Sequence, residues 1–194
     1  MATDRAAVNP FAISAPCEGY VPGWGDREAD FHLIRGRPSG REDTHRNRFT
    51  EPPLGGVLES VGLLRNGEPS NLFASFVHGC PDRAFSTHRL ESIFDAELRA
   101  ITAHVLLPVG QTAFEYVLEQ YTNHDPGATS LEDFHAQELT SGAWIVLPLR
   151  DPGSWRAADA TAAREALEAI LARDYRREAD LGRHVTGPDP YYTR

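Results

Sequence analysis

Turn-forming residues recur through the first 55 positions more densely than a regular element tolerates. Asn9-Pro10, Pro16, Gly19, Pro22-Gly23, Gly25, Gly36, Pro38, Gly40, Pro52-Pro53 and Gly55-Gly56 fix or free the backbone every few residues. The apolar residues among them (Phe11, Ile13, Tyr20, Val21, Trp24, Leu33, Ile34, Phe49) follow neither the helical nor the strand period. One short strand, Phe31 to Arg35, is the exception. A stretch this long with so little structure of its own cannot build a core, so it must lie across a surface. The expectation is an extended N-terminal arm over 1–55, anchored on a neighbouring molecule by Phe11, Trp24 and Phe31.

From residue 56 the pattern becomes periodic. Residues 57–65 and 71–78 read as two strands joined at Asn66-Gly67, a hairpin signal. Leu90, Ile93, Phe94, Leu98 and Ile101 predict an amphipathic helix over roughly 88–102. His104 to Val109 is a short apolar strand. The spacing of Thr112 and Glu115 matches a capping box, opening a helix through Tyr121. A short helix is expected over 131–139. Ala143 to Leu149 is a buried strand, and Asp159 caps a helix to about Leu181, stopped by Gly182. Strands alternating with helices after a hairpin predict an α+β fold, a mixed β-sheet with helices packed mainly on one face. The domain reading is an arm over 1–55, a core over 56–182 and an irregular tail over 183–194. Tyr191 and Tyr192 in that tail are further candidate contacts.

Composition narrows the chemistry. All 19 basic residues of the 194 are arginine. Without a lysine amine there is no Schiff-base aldolase, no pyridoxal-phosphate enzyme, no P-loop and no protein-kinase phosphoryl transfer. The formal charge of −9 argues against direct nucleic-acid binding, which rests on phosphate neutralisation. That charge is uneven, because Arg35, Arg37, Arg41, Arg46 and Arg48 crowd residues 35–48. A basic arm on an acidic body complements an acidic face of a second copy. No run reaches the roughly 18 apolar residues of a membrane span. Met1 to Pro10 has no secretory pattern, so the expected location is the cytoplasm or a virion. The two cysteines, Cys17 and Cys80, read as reduced thiols.

The densest group of reactive side chains is His78, Cys80, Asp82, Ser86 and His88, in a loop between strand and helix. A cysteine flanked by two histidines would serve as an activated nucleophile in an enzyme. His135 and Glu138 share a helical face, as do Glu115 with Glu119 and Asp174 with Glu178. None of these pairs has the spacing of a metal or acid–base motif. No cofactor is implied. The unit from Ala143 to Leu181 resembles, in outline, the small α+β subunits that form rings in tailed-virus necks and tails.

The leading functional expectation is therefore a structural subunit of a symmetric homo-oligomer, of the kind found in virus particles. Its arm and tail would contact neighbouring proteins, with Trp24 the principal anchor. The alternative is a small-molecule enzyme that uses the loop at 78–88. A further alternative is an acidic inhibitor or immunity-type protein.

Overall fold

The computed structural model describes residues 7–38, 49–141 and 144–185. Seven strands form one mixed sheet: β1 (Ala7–Val8), β2 (Trp24–Gly25), β3 (Phe31–Arg35), β6 (Leu72–Phe76), β7 (Val105–Val109), β8 (Leu139–Ser141) and β9 (Trp144–Val146). Their spatial order is β1-β2-β6-β3-β7-β9-β8. A hairpin of β4 (Leu64–Arg65) and β5 (Glu68–Pro69) stands apart. The helices are α1 (Leu54–Ser60), α2 (Thr87–Ile101), α3 (Gln111–Tyr121), α4 (Leu131–Phe134), α5 (Ala157–Leu171) and α6 (Tyr175–Val185).

The α+β class and the mixed sheet are as expected. The placement of the N-terminal segment is not. Phe31–Arg35 is the middle strand of the sheet, parallel to β6 on one side and to β7 on the other. All five of its residues are buried. Residues 24–25 pair antiparallel with Phe73 and Ala74, which extends the sheet outwards. Trp24 and residues 29–35 of the expected arm are thus built into the core of their own chain.

The helices also divide differently from expectation, lying on both faces of the sheet. Phe31, Leu33, Val105, Leu107 and Val109 point to one side, where α1 contributes Leu54, Val57 and Leu58 and α5 contributes Ala163, Leu167 and Ile170. Ile34, Leu106 and Val146 point to the other, against Phe94 and Leu98 of α2 and Phe114, Val117 and Leu118 of α3. This explains why β7 and β9 read as continuous apolar runs: a strand covered on both faces has no polar side to alternate with.

Local differences have identifiable causes. Residues 54–60 form a helix that replaces the first part of the strand expected over 57–65, because Leu54, Val57 and Leu58 sit at i, i+3, i+4 and pack against α5. A hairpin does turn at Asn66-Gly67, but between Leu64–Arg65 and Glu68–Pro69; the expected second strand, over 71–78, instead becomes β6 of the main sheet. Asn66 and Gly67 both have positive φ, 53° and 75°, as a type I′ turn requires. The capping box at Thr112 is absent; Gly110 precedes α3 and no side chain caps it. Asp159 sits in the third position of α5 and accepts from the Arg156 N–H at 2.7 Å. The long C-terminal helix breaks after Leu171, and Gly182 lies inside α6 rather than ending it.

Candidate functional site

The four central strands β6, β3, β7 and β9 are all parallel, and the first of them in the chain occupies an inner position. Numbered by their order in the chain, they lie 2-1-3-4, which is the core of a doubly wound sheet. In such a sheet the chain leaves the first strand in one direction and later returns to its other side. The connections on either side of that point diverge to opposite faces and open a crevice at the strands' carboxyl ends. By strand order the switch point here lies between the carboxyl ends of β3 and β7.

Two glycines shape it. A Cβ on Gly36 would lie 2.6 Å from the Thr112 Cβ, so only glycine allows the end of β3 to approach the first turn of α3 this closely. Gly110 joins β7 to α3 at φ +81°, a conformation that L side chains rarely adopt. The first turn of α3 therefore presents backbone N–H groups with no side-chain cap at the positive end of the helix dipole.

Charged groups gather on the same edge. Arg35, 4% exposed, ion-pairs with Glu51 and reaches Asp151 Oδ2 at 3.3 Å. This guanidinium ties the segment before α1 to the loop after β9. Asp151 is 63% exposed, yet its position is defined: Oδ1 accepts from the Gly153 N–H at 3.0 Å and Oδ2 faces Gly110. Arg37 donates Nη1 to the carbonyls of Cys80 and Asp82 at 2.5 and 3.0 Å. Burial, together with the Arg83 charge nearby, holds its basicity below the ordinary arginine value, and Asp82 offsets this in part. The backbone of His78 donates to the Gly36 carbonyl at 2.9 Å, which closes the edge between β3 and β6.

The His-Cys loop lies on this edge but does not make a nucleophile. Cys80 is joined to Cys17 in a disulfide, so the expectation of two reduced thiols is corrected. A sulfur in a disulfide has no thiolate to offer. His78 Nε2 meets Glu91 of α2 at 3.1 Å, Asp82 accepts from the Ala84 N–H, and His88 is exposed on the first turn of α2. The four side chains do not converge. His135 and Glu138 also part: the former takes the Arg150 N–H and contacts the Asp159 carbonyl, the latter pairs with Arg173. Among the described residues, no group of three or more His, Cys, Asp or Glu side chains is placed to hold a metal ion.

The expected interface anchors take other roles. Trp24 is 3% exposed and Phe31 fully buried, both in the chain's own core, and Phe11 packs edge-on against Phe73 at 5.8 Å. Arg35 and Arg37 belong to the carboxyl edge. Arg41, Arg46, Arg48, Tyr191 and Tyr192 lie outside the described residues. Trp24 and Phe31 are thus committed to the sheet of their own chain. Two open concavities lie elsewhere. One of about 510 Å³ sits beside Asp26, Arg27, Glu28 and Ala100, and one of about 270 Å³ sits between α1 and α5.

Away from the edge, three buried polar arrangements hold the fold. Asp30, at the start of β3, accepts from Asn71, Tyr175 and Arg176 and faces His104. Burial pushes its carboxyl up, but these donors outweigh burial and leave it below the usual range. His32 is fully buried with Nε2 2.8 Å from Ser75 Oγ, and burial pushes it down to about 3, so it stays neutral. Glu97 is 3% exposed, and burial pushes its carboxyl up to about 7, with the Gly23 N–H opposing in part.

No protein-family model and no curated protein matches the chain.

Proposed function

We propose that this chain binds a phosphate-bearing ligand of the nucleotide class at the carboxyl edge of its parallel strands. The observation that carries the reading is the switch point between β3 and β7, where Gly36 and Gly110 bring an uncapped helix N-terminus against the strand ends. Backbone N–H groups at the start of α3 suit a phosphate, since they combine fixed donors with the positive end of a dipole. Arg37 adds a cation. Asp151, held by Arg35 and Gly153, supplies an acceptor for a hydroxyl or amine on the same ligand. The combination of anion donors and one fixed carboxylate suits a molecule with both a phosphate and a polar body.

This ranks above the assembly reading, whose described anchors lie inside the subunit. It keeps part of the small-molecule loop expected at 78–88 while removing Cys80 as nucleophile. Calorimetric titration with inorganic phosphate, a nucleoside monophosphate and a short single-stranded oligonucleotide tests it. The monophosphate is expected to bind, phosphate more weakly, and Arg37→Gln to weaken both about tenfold, the worth of one charged contact. Oligonucleotide binding that exceeds the monophosphate would identify the phosphate as part of a strand. Absence of binding to all three, or binding indifferent to Arg37→Gln and Gly36→Val, refutes the proposal.

A further inference from the structure

The carboxyl edge of the sheet is tied by a covalent bond to a segment far from it in sequence, and this points to how it is controlled. Residues 9–23 cross the outside of the sheet between β1 and β2 as a strap. The Asn9 N–H donates to the Gly23 carbonyl, and the Val21 N–H to the Gly79 carbonyl, each at 2.8 Å. The Tyr20 ring presses so closely on Gly79 that a Cβ there would lie 2.5 Å from it. Between these ties the Cys17–Cys80 disulfide is the covalent link, closing a sequence separation of 63 residues. Cys80 is the residue whose carbonyl accepts from Arg37. The strap, the 78–82 loop and Arg37 are thus linked in series, and the disulfide is the link that chemistry can open.

We propose that the Cys17–Cys80 disulfide is a redox-operated lock that holds Arg37 in its ligand-binding position. The proposal deepens the reading above and rests on it for the identity of the site. Cys17 is partly exposed while Cys80 is fully buried, so attack comes from the strap side. A thiolate of a dithiol reductant attacks Cys17 Sγ. The S–S bond breaks, its electron pair leaves on Cys80 Sγ, and that sulfur takes a proton. The reductant's second thiol then displaces Cys17 as a thiol and closes the reductant's own disulfide, so two electrons and two protons pass to the protein. The strap then keeps the Val21–Gly79 hydrogen bond and the Tyr20–Gly79 contact but has lost its covalent tie to the 78–82 loop. The carbonyls of Cys80 and Asp82 are held less firmly, and Arg37 with them.

The test uses the full chain in oxidised and dithiothreitol-reduced forms. Native thiol counting is expected to show none before reduction and two after. Limited proteolysis is expected to cut within residues 9–23 only in the reduced form. Affinity for the nucleoside monophosphate is expected to fall about tenfold on reduction and to recover with oxidised glutathione. Cys17→Ser, changed at the more exposed sulfur, is expected to match the reduced form and to ignore both reagents. Two free thiols in the air-exposed protein overturn the proposal. So does strap release with unchanged affinity, or a Cys17→Ser variant that still responds to reductant. If neither form binds the monophosphate, the ligand reading fails, and the lock with it as a control of that site. An unchanged proteolytic pattern with intact ligand binding defeats the lock alone.

Discussion

Replacing Glu97 with glutamine is expected to stabilise the protein at neutral and alkaline pH and to leave it almost unchanged at pH 4. Glu97 lies on the buried side of α2. One of its carboxylate oxygens accepts from the Gly23 N–H and Oε1 has no partner. Burial raises the carboxyl from its ordinary 4.5 to about 7, a gap worth about 3 kcal/mol at ~1.4 kcal/mol per pH unit. The sign follows from proton counting. Below pH 4.5 folded and unfolded chains both carry the proton, so burial of this group costs nothing in ionisation. Between pH 4.5 and 7 the unfolded chain releases the proton and the folded one keeps it, so stability falls as pH rises. Above pH 7 both are ionised and the full cost remains. Glutamine has nearly the same shape, keeps an acceptor for Gly23 and never ionises. Urea unfolding followed by circular dichroism at pH 4, 6 and 8 measures the difference. At a slope of about 2–3 kcal/mol per molar, the variant's midpoint is expected to rise by about 1 M at pH 8 and to match the parent at pH 4. A variant that is less stable at pH 8, or equally shifted at all three values, would refute the burial argument.

His32 and Asp30 act at the acid end. Because His32 is held neutral down to about 3, the unfolded chain alone takes up its proton below pH 6.5. As pH drops through that window the His32 contribution to stability is expected to fall by ~1.4 kcal/mol per pH unit, opposed by Glu97 between pH 4.5 and 6.5, and His32→Gln to remove this contribution in the same urea series. Asp30→Asn removes a carboxylate that accepts from Arg176 and Tyr175. A loss of about 3 kcal/mol is expected at pH 7, at the lower end for a broken buried pair because the exposed Arg176 can rehydrate. With a folded value below the usual range, the contribution of Asp30 is present above the ordinary carboxylate value and disappears as pH falls through the folded one. The gap between variant and parent is therefore expected to close in strong acid.

Parts of this architecture are legible from residue order, and the limits have physical causes. β7, β9, α2 and α3 announce themselves through apolar runs or helical spacing that a buried element requires. Phe31–Arg35 reads correctly as a strand, but its central position does not. Its partners begin at Leu72 and Val105, and periodicity carries no information about which distant segments pair. Val57-Leu58 fits a strand as well as a helix until the contact with α5 decides. The switch point follows from strand order alone, so no motif marks it; Gly36 and Gly110 are local traces of it. The disulfide was equally hidden, since two cysteines so far apart display no spacing to interpret.

The central position of β3 bears on how the chain is made. Phe31–Arg35 leaves the ribosome before both of its neighbouring strands, β7 not being complete until Val109. A nascent strand with Phe, Leu and Ile at its core must wait unpaired while its flanks emerge, an interval in which intermolecular pairing competes. Conditions that slow translation past residue 36, or raise the temperature during it, are where this protein would first be lost to inclusion bodies.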